Sequence, residues 1–142
     1  MYTKLFSVIS VTFLLGACGK VDPNLVTRPA GSKAFEGDRV ELVKEGKALW
    51  NDTSLSTKGI ACQGCHVNGA QFKKYFAQAY PHPVDMAKSM AGLTSIDAEQ
   101  MVQFCMIVPM KAEPLPWDSE KLAALTAYIE DEEQARFKAK GM

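Results

Sequence analysis

Apolar side chains recur at helical spacing in three separate segments of the chain, and no segment alternates apolar and polar residues at every second position. In RVELVKEGKALWND, residues 39 to 52, Val40, Val43, Ala48, Leu49 and Trp50 repeat with charged residues between them. A stripe of that period buries one side of a helix and leaves the other in water, so a first helix is predicted, ending before NDTSLSTKG. Gly46 and Trp50 stand four apart, on one face of it. TSIDAEQMVQFCMIV, residues 94 to 108, predicts a second helix, capped by Thr94, Ser95 or Asp97, with Ile96, Val102 and Cys105 or Met106 turned inward. Pro109 ends it, because proline has no N–H to donate and its ring collides with the preceding turn. VPMKAEPLPWD then packs three prolines into eleven residues and reads as a stiff loop. DSEKLAALTAYIEDEEQARFKAK opens with an Asp/Ser cap and an acidic first turn, and sets Leu122, Leu125, Tyr128 and Ile129 along one stripe of a last helix. An all-α domain is the expected fold class.

The start of the chain follows another pattern. MYTKLFSVISVTFLLGACGK has a short segment with Lys4, a mainly apolar run from Leu5 to Leu15 and small residues before Cys18. That run is about half of the roughly 20 residues a spanning helix needs, which fits an export signal better than an anchor. The tetrapeptide LGAC, Leu15 to Cys18, resembles a bacterial lipobox. The resemblance implies cleavage before Cys18 and a lipid on its sulfur, and Gly19 in place of Asp implies sorting to a Gram-negative outer membrane, facing the periplasm. KVDPNLVTRPAGSKAFEGD has two prolines, two glycines and no apolar period. The expected organisation is a signal peptide at 1–17, a polar tether at 18–39 and one folded domain at 40–142.

Composition narrows the function. The 142 residues, 47% hydrophobic, suffice for one domain and an appendage. Sixteen basic and sixteen acidic residues cancel and are scattered. Without a basic stripe, nucleic acid is not an expected partner.

An exported chain sits where thiols oxidise, so each of Cys18, Cys62, Cys65 and Cys105 needs a fate. The run Cys62-Gln63-Gly64-Cys65-His66 has the C-x-x-C-H pattern of covalent haem attachment. Thiols three positions apart on one turn reach the two vinyl carbons on one edge of a haem, and the adjacent imidazole then lies under the iron. A thioredoxin-like dithiol needs a βαβ context that this sequence lacks. A zinc site would force two sequence-adjacent ligands into one tetrahedron. Cys62 and Cys65 are therefore the expected thioethers of one haem c, and His66 the proximal ligand. An electron carrier fills the sixth position, commonly with a Met thioether. Met110, after Pro109, is the expected distal ligand, with Cys105 and Met106 as alternatives; Met106 otherwise fills core. His82, in YPHPVD, reads as an exposed loop residue and, less simply, as a second nitrogen ligand. The carbonyl of Pro81 or Pro83 is a candidate to accept the His66 Nδ1–H. Phe72, Tyr75 and Phe76 are candidates to pack on the macrocycle, and Lys73 and Lys74 for a docking patch.

The C-x-x-C-H run between a first and a last helix resembles class I cytochromes c, in which those two helices cross near the haem edge, the first offering a glycine and the last an aromatic ring. Gly46 and Tyr128 match. NDTSLSTKGIACQGCH, NGAQF and TSIDAEQMVQFCMIVPMKAEPLPWDSEKLAALTAYI are similar to the haem domains of thiosulfate dehydrogenases and sulfur-oxidation cytochromes c. That resemblance implies that Cys105 could act as a thiolate ligand opposite His66, in an enzyme or enzyme subunit of sulfur-compound oxidation. Those enzymes typically carry two haem domains, and no Arg flanks Cys105 here. The expected function is a lipid-anchored cytochrome passing single electrons between redox proteins, such as a dehydrogenase, an oxidase or another cytochrome.

Overall fold

The computed structural model describes residues 20–141; the signal segment and Cys18 lie outside the described residues. Its helices are α1 (Arg39–Trp50), α2 (Cys62–His66), α3 (Asp85–Ala91), α4 (Ala98–Ile107), α5 (Glu120–Tyr128), a π-helical turn Ile129–Glu133, and α6 (Gln134–Ala139). Among the described residues the extended structure is a single antiparallel bridge between His82 and Ile96. The fold is all-α.

Asp38 starts α1: its carboxylate accepts the Val40 and Glu41 N–H groups, each at 3.0 Å, and puts negative charge at the positive end of the helix. The buried face is Leu42, Gly46, Leu49 and Trp50. This differs from the stripe expected from sequence, since Val40 is 73% exposed and Ala48 faces solvent. The reason is Gly46. A Cβ there would strike the Ala124 carbonyl oxygen and stand 2.6 Å from Tyr128 Cβ, so α1 can lie this close to α5 only on the side where no side chain projects. Leu42 and Leu49 follow that side inward.

A capping box opens α4. The Asp97 carboxylate accepts Gln100 N–H at 2.8 Å while the Gln100 side chain accepts Asp97 N–H at 3.0 Å. The buried Gln103 side chain donates to the Leu115 carbonyl at 2.7 Å and accepts the Leu115 N–H at 2.8 Å. One side-chain amide thus satisfies both backbone groups of Leu115 and pins the proline-rich loop against α4. The last helix, expected to be continuous, contains the π turn, which carries Glu133 inward to 6% exposure. There its carboxylate accepts the Tyr128 hydroxyl at 2.9 Å and pairs with Arg136.

Residues 20 to 38, expected to be a tether, lie along the domain. Val26 is fully buried and Val21 8% exposed, in a second apolar cluster with Ala87, Ile96 and Phe104. Val21 N–H donates to the Met90 carbonyl at 3.0 Å. The Arg28 guanidinium reaches both Glu99 carboxylate oxygens, at 2.7 and 3.1 Å, and lies 5.2 Å from the centre of the Trp117 ring. A few apolar side chains and one forked ion pair suffice to dock a segment that is polar on average. No helix among the described residues is long and apolar enough to cross a membrane.

Candidate functional site

The C-x-x-C-H run forms the short helix α2, and its first turn presents the Cys62 and Cys65 thiols three positions apart, Cys62 half-buried and Cys65 exposed. Trp50 Nε1 donates to Gln63 Oε1 at 2.7 Å, tying α2 to the end of α1. His66 follows, stacked between Trp50 at 5.5 Å and Phe72 at 4.3 Å. Its Nδ1 lies 3.1 Å from the Ala70 carbonyl, which can only accept, so Nδ1 carries the hydrogen and Nε2 keeps a free lone pair. Burial pushes the His66 pKa below its ordinary value and favours that neutral form. The partner is Ala70, not Pro81 or Pro83. The turn Val67–Gly69 bends the chain back over α2, with Asn68 at φ 56°, and brings the Ala70 carbonyl within reach.

These groups open on one cavity of about 750 Å³ with overwhelmingly apolar walls. Such a volume falls in the range of roughly 300–1,000 Å³ that buries a cofactor-sized ligand. Met101, Val102, Cys105 and Met106 line it from one face of α4, and Pro109 and Met110 extend that wall. Every sulfur singled out in this region by sequence therefore reaches the same space. Met110 is 3% exposed and held at both backbone groups: its N–H donates to the Cys105 carbonyl at 3.1 Å, and Ser56 Oγ donates to its carbonyl at 2.7 Å. Met106, also 3% exposed, accepts the Ala112 N–H at its carbonyl. Burial pushes the Cys105 thiol up to about 12 and the Cys62 thiol up to about 11.

Phe72, Tyr75 and Phe76 line the cavity, Phe72 and Phe76 stacked at 3.7 Å. Lys73 and Lys74 are exposed. His82 is not an exposed loop residue: it is 3% exposed and lines the cavity, because its backbone is bridged to Ile96 and its ring stacks on Tyr80 at 4.2 Å. Neither Tyr80 nor Met101 was singled out from sequence. Met101, four before Cys105, could have been found from helical spacing; nothing local to Tyr80 signals a cavity.

Two thiols one turn apart, a neutral imidazole fixed through Nδ1 and sulfur atoms on another element of an apolar cavity fit a planar macrocycle bound through thioethers and axial ligands. The family model of the SoxA/TsdA cytochrome c domain matches residues 45–136. The L-cysteine S-thiosulfotransferase subunit SoxA of Pseudaminobacter salicylatoxidans is 31% identical over 103 residues, covering 72% of this chain and 34% of that subunit. The chain thus spans about a third of the length of this curated relative. No solved structure matches.

Proposed function

The chain belongs to the SoxA/TsdA cytochrome c domain family, whose members bind covalently attached haem c, and on that premise we propose that it is a lipid-anchored, periplasm-facing relay that passes single electrons between redox proteins of sulfur-compound oxidation. Cys62 and Cys65 carry the thioethers, His66 is the proximal iron ligand and Met110 the distal one, and Cys18 carries the lipid. The observation that supports this most is the pairing of a backbone-fixed imidazole with a backbone-fixed, buried thioether around one apolar cavity. A haem held there would supply one-electron chemistry, and the chain's part is to present an imidazole and a thioether on fixed backbone and to keep water out with an apolar wall. His66 Nδ1–H, held by Ala70, keeps Nε2 basic toward the iron.

A second reading rests on Cys105. It stands on the cavity face of α4, one turn before Pro109, rather than in the core behind that helix. Burial holds its thiol in the protonated form, and Cys105 would give up that proton in serving as a metal ligand. A thiolate there would supply the ligand set of a catalytic haem in sulfur-compound oxidation, as the likeness to the SoxA subunit suggests.

Haem that stays with the polypeptide through acid-acetone extraction is the expected result of two thioethers, and haem lost to the solvent would sink both readings. Met110→Ala then separates them. It should abolish the long-wavelength sulfur-to-iron absorption of the ferric protein and lower the midpoint potential, while Cys105→Ser leaves both nearly unchanged. The reverse pattern would make Cys105 the ligand and call for a thiosulfate turnover assay.

A further inference from the structure

Of the four consecutive acidic residues Glu130 to Glu133, only Glu133 is buried. Tyr128 and Glu133 stand five apart, a separation that sets two side chains about 140° apart around an α-helix. The π turn Ile129–Glu133 widens the helix and brings them to one side, where the carboxylate accepts the Tyr128 hydroxyl at 2.9 Å and an Arg136 N–H. Glu133 there lines a second, small cavity of about 100 Å³ together with His66, Gln63, Arg136 and Lys140. Aromatic rings pack beside it: Tyr128 lies 5.7 Å from Trp50, whose ring stacks on His66 at 5.5 Å. Burial lowers the His66 pKa, and the Ala70 carbonyl and the Glu133 charge act against it, so the field of this carboxylate reaches the imidazole.

We propose that Glu133 sets a buried negative charge beside the proximal imidazole and thereby biases the site toward its oxidised state. This rests on the reading that Cys62, Cys65 and His66 carry the haem, and deepens it by naming a residue that sets the potential. The haem would supply the one-electron chemistry, and the chain supplies the fixed charge. An added electron brings negative charge to the His66 side of the main cavity, and a carboxylate behind that imidazole opposes it. Two cations share the small cavity, but they compensate it only in part. The Glu133 side chain is 7% exposed and that of Arg136 45%, and Arg136 also pairs with Glu132 at 3.0 Å. Lys140 is exposed, its ammonium donating to the Asn68 carbonyl at 3.0 Å. Water screens the two exposed cations, whereas aromatic packing leaves the field of the buried carboxylate strong. If Glu133 served only as an acceptor for the Tyr128 hydroxyl, a neutral amide would do as well, and the potential would not register its charge.

The test is an equilibrium redox titration of the full haem-bearing chain. Glu133→Gln keeps an acceptor for the Tyr128 hydroxyl and removes only the charge. It should retain the parent's covalent haem content and axial-ligand absorption and shift the reduction equilibrium about tenfold toward the reduced state, about 59 mV for a single electron. Glu132→Gln makes the same change of charge one residue away at an exposed position, and should shift the equilibrium less than about threefold because water screens it. Arg136→Gln removes the partial compensation and should move the potential the other way, toward the oxidised state. An unchanged potential in haem-loaded Glu133→Gln, or equal shifts in the two glutamate variants, would overturn the proposal. If Glu133→Gln does not load haem, Arg136→Gln decides alone, and a potential that stays level or rises in it would overturn the proposal as well. A parent chain without covalent haem would refute the reading itself, and the proposal with it.

Discussion

Cys105 is the residue whose state separates the two readings of this domain, and its burial gives that state a pH signature. An unfolded cysteine titrates near roughly 8.5, whereas burial in the fold pushes this thiol up to about 12. The folded state therefore holds the proton more tightly. Its contribution to stability is complete below about 8.5 and disappears as pH rises through about 12. If Cys105 is a free thiol, the parent should lose stability relative to Cys105→Ser across that window, measured as the difference in urea midpoints of the two haem-bearing proteins. A thiolate already bound to iron has no proton to lose, and the difference would stay level with pH. The sequence put Met110 ahead of Cys105 and Met106 on its place after Pro109, and burial alone does not separate the three, because they are close enough along one helix end that all of them reach the same wall.

Helices α1 and α5 were legible as elements, because stripes of Leu, Trp and Tyr at helical period leave little else for those segments to do. The inward face of α1 was not legible. Val40 and Leu42 are equally apolar, and only the close approach at Gly46 chooses between their sides. Gly46→Ala should thus cost about 3 kcal/mol, read as a lower denaturation midpoint, since the new methyl meets backbone rather than a side chain that could swing away. The π turn at 129–133 was hidden for a different reason: it changes the hydrogen-bond pattern by one residue and needs no helix breaker to do so. The cap of α4 lay among the three residues expected from sequence, and the structure selects Asp97 through its reciprocal bonds with Gln100. Asp97→Ala should destabilise the domain by about 1 kcal/mol in urea titrations. Asp97→Asn, which can still accept the Gln100 N–H, should recover most of that loss.

Across the whole molecule, fold class and attachment motif were readable because each is a local pattern: helical periods, and five residues from Cys62 to His66. The edge of the domain was not, since the docking of Val21 and Val26 depends on a groove built by Ala87, Ile96 and Phe104, far along the chain. That docking bears on the proposed anchor. From Cys18 to Val21 the chain spans at most roughly 10 Å even when fully extended, so a lipid on Cys18 would hold the domain close to the bilayer rather than on a long leash. Anchoring and folding then separate cleanly by mutation. Cys18→Ala should move the haem protein from the membrane fraction to the soluble periplasmic fraction with its unfolding midpoint unchanged. Val26→Ala, which empties a fully buried site, should lower stability by about 2 kcal/mol while the protein stays with the membrane. Arg28→Ala, which removes a half-shielded ion pair with Glu99 and the contact with Trp117, should cost about 1 kcal/mol. A Cys18→Ala protein that still requires detergent for release would exclude the lipid as the sole attachment, and the docked segment from Val21 to Arg28 would then have to be tested as a membrane contact in its own right.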